Sequence, residues 1–353
     1  MAIRYNRLEH TLKKLSDTIL LNAGILSSTG INNGSFGNLL FLYEYDRFKA
    51  NDLIYELTNR IFLSSIEKVG PDISFLDGLS GIGISICSLI EADYITMSNS
   101  KIFDGFDHLL SDSYKFHSNS IDCFGAALYN IYRLKMEDNL IDYLRREFII
   151  LTMSNIADAL TEYISYLEIS MDHALVFSIP KFIEINSLLY NCRILLQCQK
   201  CLSVLYPEGY QLCLDKVQII IDLMLEKIEK CKTKQEKTIQ NEVIKDVLIT
   251  IVKWCNFLNR DVKKPEELLA YLWRAKKALF YNNPNFRDHQ LLKEVFGENF
   301  LNFEATLFNS ALSLISPINS QLTFGLSGCA GIGLNILEFI NGTVIQKDNI
   351  YFK

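Results

Sequence analysis

The chain has 353 residues, 49% of them hydrophobic, which is enough apolar material for a large core in one or two domains. The formal net charge of −6, without a polybasic block, argues against binding to nucleic acid or to an anionic membrane. The sequence predicts neither a signal peptide nor a membrane span. Nine cysteines, scattered through apolar runs, are typical of reduced thiols in a cytoplasmic protein.

Helical spacing of apolar residues dominates the chain, and strand signals are few. We therefore predict an all-α protein. Clusters of Asn, Asp, Ser and Gly separate the helical runs. The predicted helical segments without a glycine motif are 6–28, 51–69, 139–168, 208–231, 239–258 and 265–281.

Two glycine-rich stretches about 250 residues apart have similar sequences. Phe75–Ile90 reads FLDGLSGIGISICSLI, and Leu322–Ile340 reads LTFGLSGCAGIGLNILEFI. In each, a glycine cluster precedes an apolar run with helical period. Glycine tolerates unusual backbone angles and close approach of a neighbouring chain. A turn followed by a helix that recurs in this way predicts a repeat architecture.

Weaker copies of the same unit occur elsewhere in the chain. Ile31–Tyr45 is predicted as the first repeat, Asn119–Leu134 as the third, and Asp172–Tyr190, with its Ile-Pro step, as the fourth. Inner helices are expected to begin near Gly37, Gly81, Gly125, Pro180 and Gly331. The candidate structural glycines are Gly34, Gly37, Gly78, Gly81, Gly83, Gly125, Gly325, Gly328 and Gly331. Replacement of Gly328 by valine is expected to lower the melting temperature through steric conflict at its turn.

At its two best repeats the chain resembles the LanC-like lanthionine cyclases. These enzymes carry a glycine-containing motif before each inner helix of an α/α toroid, a double ring of inner and outer helices, and their last repeat lies close to the C-terminus. The resemblance is close at the two repeats and loose elsewhere. It implies an α/α toroid that forms a single domain over residues 1–353. It also implies a role in lanthipeptide biosynthesis, in which a cysteine thiol adds to a dehydroalanine or dehydrobutyrine.

The family's chemistry needs a zinc ion with three protein ligands, which lowers the pKa of the substrate thiol, and a histidine that donates a proton. Cys255, after Trp254, matches one zinc ligand of the family. Leu301 and Asn302 stand where the family has its Cys-His pair. The proton-donor histidine aligns with Phe177, and a further aspartate of the family aligns with Ser118. We therefore expect no bound zinc and assign no catalytic residue.

The residues that the resemblance would place around a central cavity are Cys255, Asn302, Phe177, Cys329 and His173. Plainer interpretations stay open, because Cys255 suits a helical core and Cys329 suits a small residue packed at a tight turn. The resemblance and its departures favour a degenerate cyclase that binds a precursor peptide or a dehydratase-like partner. Two alternatives remain: an active cyclase with zinc ligands elsewhere in the chain, and another α/α-toroid enzyme, for example a glycan-active one with paired carboxylates.

Overall fold

The computed structural model describes residues 2–95, 100–113, 122–136, 142–172, 178–231, 238–275, 324–326 and 328–341. All regular structure in these ranges is helical and none of it is strand. The predicted all-α class is therefore confirmed. The chain groups into two compact units, unit 1 (Met1–Leu140 with Leu301–Lys353) and unit 2 (Ile141–Phe300). The expectation of a single domain stays a prediction.

Unit 1 contains helices from both ends of the chain. Helix α2 packs on α3 and α4, α4 packs on α5 and α6, and the C-terminal helix α13 packs on α1 and α2. A short 3-10 turn, Ala23–Ile25, follows α1. The helices of this unit are α1 (Ala2–Asn22), α2 (Ser35–Lys49), α3 (Asp52–Ile66), α4 (Leu79–Glu91), α5 (Ser100–Ser113), α6 (Asp122–Met136) and α13 (Cys329–Asn341).

Burial separates inner from outer helices within unit 1. Every residue from Leu79 to Leu89 of α4 is buried, as is every residue from Ser35 to Tyr43 of α2. In α3, by contrast, only Thr58, Phe62 and Ser65 are buried. A helix buried on all sides belongs to the interior, and one with a single buried stripe lies at the surface. Helices α2 and α4 are thus inner elements of this unit, and α3 is an outer one.

Local signals explain how α2 ends and α3 begins. Ala50 adopts a left-handed conformation with φ of 48°, which terminates α2. The side chain of Asn51 then caps α3, because its Oδ1 accepts hydrogen bonds from the backbone N–H groups of Leu53 at 3.1 Å and Ile54 at 3.4 Å. Only Ala50 and Asn51 therefore separate the two helices, which pack against each other.

Unit 2 is built from helices in the middle of the chain. Helix α7 packs on α10, α8 packs on α11, and α11 packs on α12. Pro180 lies in the first turn of α8, where its missing N–H costs nothing. The helices of this unit are α7 (Asp142–Asp172), α8 (Ile179–Leu196), α9 (Gln199–Leu205), α10 (Pro207–Cys231), α11 (Thr238–Phe257) and α12 (Lys263–Ala275).

The predicted inner helices begin where the glycine pattern placed them. Helices α2, α4, α6, α8 and α13 each start within three residues of the glycine or proline named for them. The fourth repeat was predicted over 172–190 with its helix beginning near Pro180, and α8 runs over Ile179–Leu196, past the predicted end. Helix α5 was not predicted.

Candidate functional site

The helix starts reveal which glycines of the two best repeats are equivalent. Helix α4 begins directly after Gly78, the first glycine of its Gly-Leu-Ser-Gly. Helix α13 begins directly after Gly328, the last glycine of its own copy. The two Gly-Leu-Ser-Gly sequences are therefore offset by about one helical turn relative to the starts of their helices. The sequence that both structural units share is Gly-x-x-Gly-Ile-Gly. The equivalent pairs are Gly78 with Gly328, Gly81 with Gly331, and Gly83 with Gly333.

The glycine turns of the first, second and last repeats are joined by backbone hydrogen bonds. The N–H of Leu326 donates to the carbonyl of Ile31 at 3.0 Å. The N–H groups of Ile31 and Asn32 in turn donate to the carbonyl of Leu76 at 2.9 and 3.0 Å. The turn of the last repeat thus lies beside that of the first, and the first beside the second. We call residues 28–37, 72–81 and 324–331 the glycine-turn cluster.

Close approach of the backbone requires glycine at equivalent positions in this cluster. A Cβ on Gly37 would overlap the carbonyl oxygen of Ile31. The same overlap would occur at Gly81 with the carbonyl of Phe75 and at Gly331 with the carbonyl of Leu326. Each turn folds back over the first turn of its own helix, and a side chain there would displace it.

The helix starts in the cluster already have partners for their backbone N–H groups. In α2 the N–H of Ser35 donates to the carbonyl of Ser28 at 3.1 Å, and that of Phe36 donates to the carbonyl of Thr29 at 3.2 Å. In α4 the N–H of Leu79 donates to the carbonyl of Asp72 at 2.6 Å. Helix N-termini often bind anions through free N–H groups. These N–H groups are instead used to hold the turns.

Asn38, the residue that follows the first segment of the cluster, is buried and was not singled out by the sequence. Its Oδ1 accepts a hydrogen bond from the N–H of Gly325 at 2.8 Å, which links positions 287 apart in the chain. Gly325 has a φ of +70°, so it needs glycine for its backbone angle as well. No periodicity or motif in the sequence connects these two positions.

Cys329, the first residue of α13, is fully buried in unit 1. Burial raises the pKa of its thiol to about 11. The thiol is therefore protonated at neutral pH and is a weak nucleophile. Gly328, which precedes it, is buried and donates its N–H to the carbonyl of Gly325 at 3.1 Å; the effect of a valine at Gly328 stays a prediction.

Cys255, the one matched zinc-ligand position, lies buried on α11 in unit 2. Burial raises the pKa of its thiol, and the nearby Arg260 guanidinium opposes that shift. The neighbouring Trp254 is also buried and donates its Nε1–H to the carbonyl of Leu189 at 3.0 Å, which holds α11 against α8. Arg260 pairs with Asp222 at 3.0 Å. Cys255 thus has the surroundings of a core thiol.

The remaining candidate positions, His173, Phe177, Asn302, Leu301 and Ser118, lie outside the described residues. A central cavity lined by these side chains stays a prediction. Among the residues that it does describe, no three His, Cys, Asp or Glu side chains lie together as a metal site requires. The described residues around Cys255 provide no such set, and the absence of zinc from the protein stays a prediction.

A buried polar network joins α5 to α6 and was not predicted. The hydroxyl of Tyr129 donates to Oδ1 of Asp107 at 2.7 Å, and Nη2 of Arg133 pairs with Oδ2 at 3.2 Å. The Arg133 guanidinium also lies 4.1 Å from the centre of the Phe103 ring. Tyr129 and Arg133 are one helical turn apart, so both reach the same carboxylate. The contacts serve packing, because all of these side chains are buried.

No protein-family model matches the sequence, and no curated protein matches it either. Within the described ranges, none of the helices combines the length and the apolar character needed to cross a bilayer. The class that the structure itself defines is an all-helical protein with glycine-turn repeats.

Proposed function

We propose that this chain is a LanC-like protein of lanthipeptide-type biosynthesis, with an α/α toroid fold, and that it acts as a degenerate cyclase that binds a peptide or a dehydratase-like partner. The observation that carries the proposal is the order of the glycine turns. The last repeat adjoins the first, and the first adjoins the second. In a closed ring of repeats, the first and last repeats must lie next to each other.

Further support comes from the third repeat and from the burial pattern. A Cβ on Gly125 of α6 would lie 2.6 Å from the Cβ of Phe75 in the second turn, so the third repeat adjoins the second. Helices α2 and α4 are buried on all sides and α3 on one face. A double ring likewise has inner helices that are buried on all sides and outer helices that are buried on one face.

The proposal of lost catalysis rests on side-chain chemistry. Thioether formation needs a thiolate, and a metal with three ligands is one way to produce it near neutral pH. Leu301 has no donor atom for zinc, and Phe177 has no proton to donate. Cys255, which could provide one ligand, is a buried thiol with a raised pKa. A peptide-binding role needs none of these groups.

The test uses a synthetic fluorescein-labelled peptide that carries one dehydroalanine and one cysteine. We expect saturable binding by fluorescence anisotropy, but no increase in the rate of thioether closure measured by mass spectrometry. A peptide with the same residues in scrambled order is the control for specificity. Absence of binding would contradict the proposed peptide-binding role.

Elemental analysis of protein purified without chelator separates the degenerate cyclase from an active one. We expect less than stoichiometric zinc and the same content in the Cys255→Ser variant. One zinc per chain that is lost together with cyclisation in Cys255→Ser would overturn the degenerate assignment and favour the active cyclase.

A further inference from the structure

A cleft of about 270 Å³ opens in unit 1 beside the outer helix α3. Its other walls come from the end of α1, the segment 23–29 and the first residue of α2. The α3 side contributes positions 57, 60, 61, 64, 65 and 68. These positions follow the helical period, so they form one continuous face along α3 and the turn after it.

The interior of the cleft combines an apolar wall with hydroxyl groups. Leu20, Leu57 and Ile61 supply aliphatic surface. Ser35 and Ser65 also line it, and each is only 5% exposed. Both hydroxyls line the cleft without a hydrogen bond to any described residue. An acceptor group in the cleft would therefore replace water as their partner.

The charge at the cleft is positive. Arg60 and Lys68 line it and are exposed, and none of the lining residues carries a carboxylate. Arg60 is held by an ion pair with Glu56 on the same helix, at 2.5 Å. The Lys68 ammonium has no ion pair or hydrogen bond with any described residue. The Lys68 ammonium can therefore form an ion pair with an anion bound in the cleft.

From these groups we infer that the cleft binds a small aliphatic monocarboxylate. The tail lies against Leu57 and Ile61, and the carboxylate accepts hydrogen bonds from the hydroxyls of Ser35 and Ser65 and pairs with Lys68 at the rim. The cleft volume of about 270 Å³ admits a small ligand. The inference does not depend on the proposed function, since it rests on α3 and not on the resemblance.

Isothermal titration calorimetry with hexanoate tests whether the cleft binds a monocarboxylate. Hexanamide, which is uncharged and of equal size, is the control. We expect hexanoate to bind at least tenfold more tightly than hexanamide, because only the carboxylate accepts charge-assisted hydrogen bonds. N-acetyl-leucine is the third ligand. Tighter binding of N-acetyl-leucine than of hexanoate would identify the C-terminal residue of a peptide as the source of the carboxylate, and weaker binding would identify a free acid.

Variants locate the site. Ser65→Ala should weaken hexanoate binding about tenfold, and Lys68→Met should weaken it about fivefold because that charge is exposed to solvent. Ser64→Trp, a change at an exposed position of the cleft, should abolish binding by filling it. Lys14→Met on α1 removes an exposed lysine outside the cleft and should leave the affinity unchanged. Equal affinity for hexanoate and hexanamide, no binding of either, or full affinity in Ser64→Trp would overturn the inference.

Discussion

Glycine residues at the helix starts of unit 1 are required mainly by close approach and less by backbone angle. Among the described glycines, Gly325 is the one with a positive φ. Gly37 has a backbone conformation that any residue can adopt. A Cβ there would nevertheless overlap the carbonyl oxygen of Ile31 and lie 2.9 Å from the Cα of Gly325. Gly37 therefore lies where the first and last glycine turns touch, and a methyl group would push both away.

Replacement of Gly37 by alanine is expected to lower the free energy of unfolding by about 3 kcal/mol, because the overlapping atoms belong to backbone that cannot rotate away. Urea denaturation measures this loss. Gly105→Ala is the matched control, since Gly105 lies within α5 and no atom lies within 4 Å of an added Cβ. That variant should gain about 0.5–1 kcal/mol from helix propensity. Equal stability of the two variants would contradict the role given to close approach.

At the scale of elements, two helix interfaces in unit 1 share one design. The Phe41 ring of α2 lies over Gly333 of α13, and the Tyr129 ring of α6 lies over Gly83 of α4. Each aromatic residue stands four positions after the glycine that starts its own repeat, Gly37 for Phe41 and Gly125 for Tyr129. The missing side chain of one helix thus accommodates the ring of the next.

Gly333→Ala is expected to cost about 2 kcal/mol, because the added methyl group overlaps the Phe41 ring. Phe41→Leu in the same chain should recover about 1 kcal/mol of that loss, since the smaller side chain leaves room for the methyl group. A double-mutant cycle measured by urea denaturation gives the coupling. Combining Gly333→Ala with Phe182→Leu, on α8 of unit 2, should give additive losses. Additivity in the first pair would show that the ring and the glycine do not interact.

The sequence predicted the helices and the places where inner helices begin, because apolar period and glycine clusters are local signals. Helix α5 was missed although Phe103, Phe106 and Leu110 are buried at helical spacing. The offset between the two Gly-Leu-Ser-Gly copies was missed because the two sequences were aligned by residue identity, and the positions at which their helices begin were not known. The Asn38–Gly325 hydrogen bond was out of reach of any such pattern, because it depends on tertiary packing across the chain.

The candidate site was less predictable than the fold. The raised pKa values of Cys255 and Cys329 follow from burial, which a cysteine in an apolar run suggests but does not prove. Ser35 and Ser65 line the same cleft only because α3 packs on α2. In the sequence they are ordinary serines.

At the scale of the whole molecule, unit 1 depends on a helix that the chain supplies last. Helix α13 packs on both α1 and α2, and its residues Leu334, Ile336 and Leu337 are buried. Burial of each such side chain contributes roughly 1.5–3 kcal/mol. A sum of this size is a large part of the total stability of an ordinary domain.

A chain that ends at residue 323 should therefore lose the native packing of unit 1. We expect hydrogen exchange to show lost protection in α1 and α2, whose apolar surface α13 covers, while α7 and α10 of unit 2 keep theirs through their own contact. A chain that ends at residue 341 retains α13 and is the control. It shows whether the loss of protection comes from removing α13 or from removing the residues after it. Native protection of α2 in the shorter chain would show that unit 1 folds without its C-terminal helix, and would remove the main support for a closed ring of repeats.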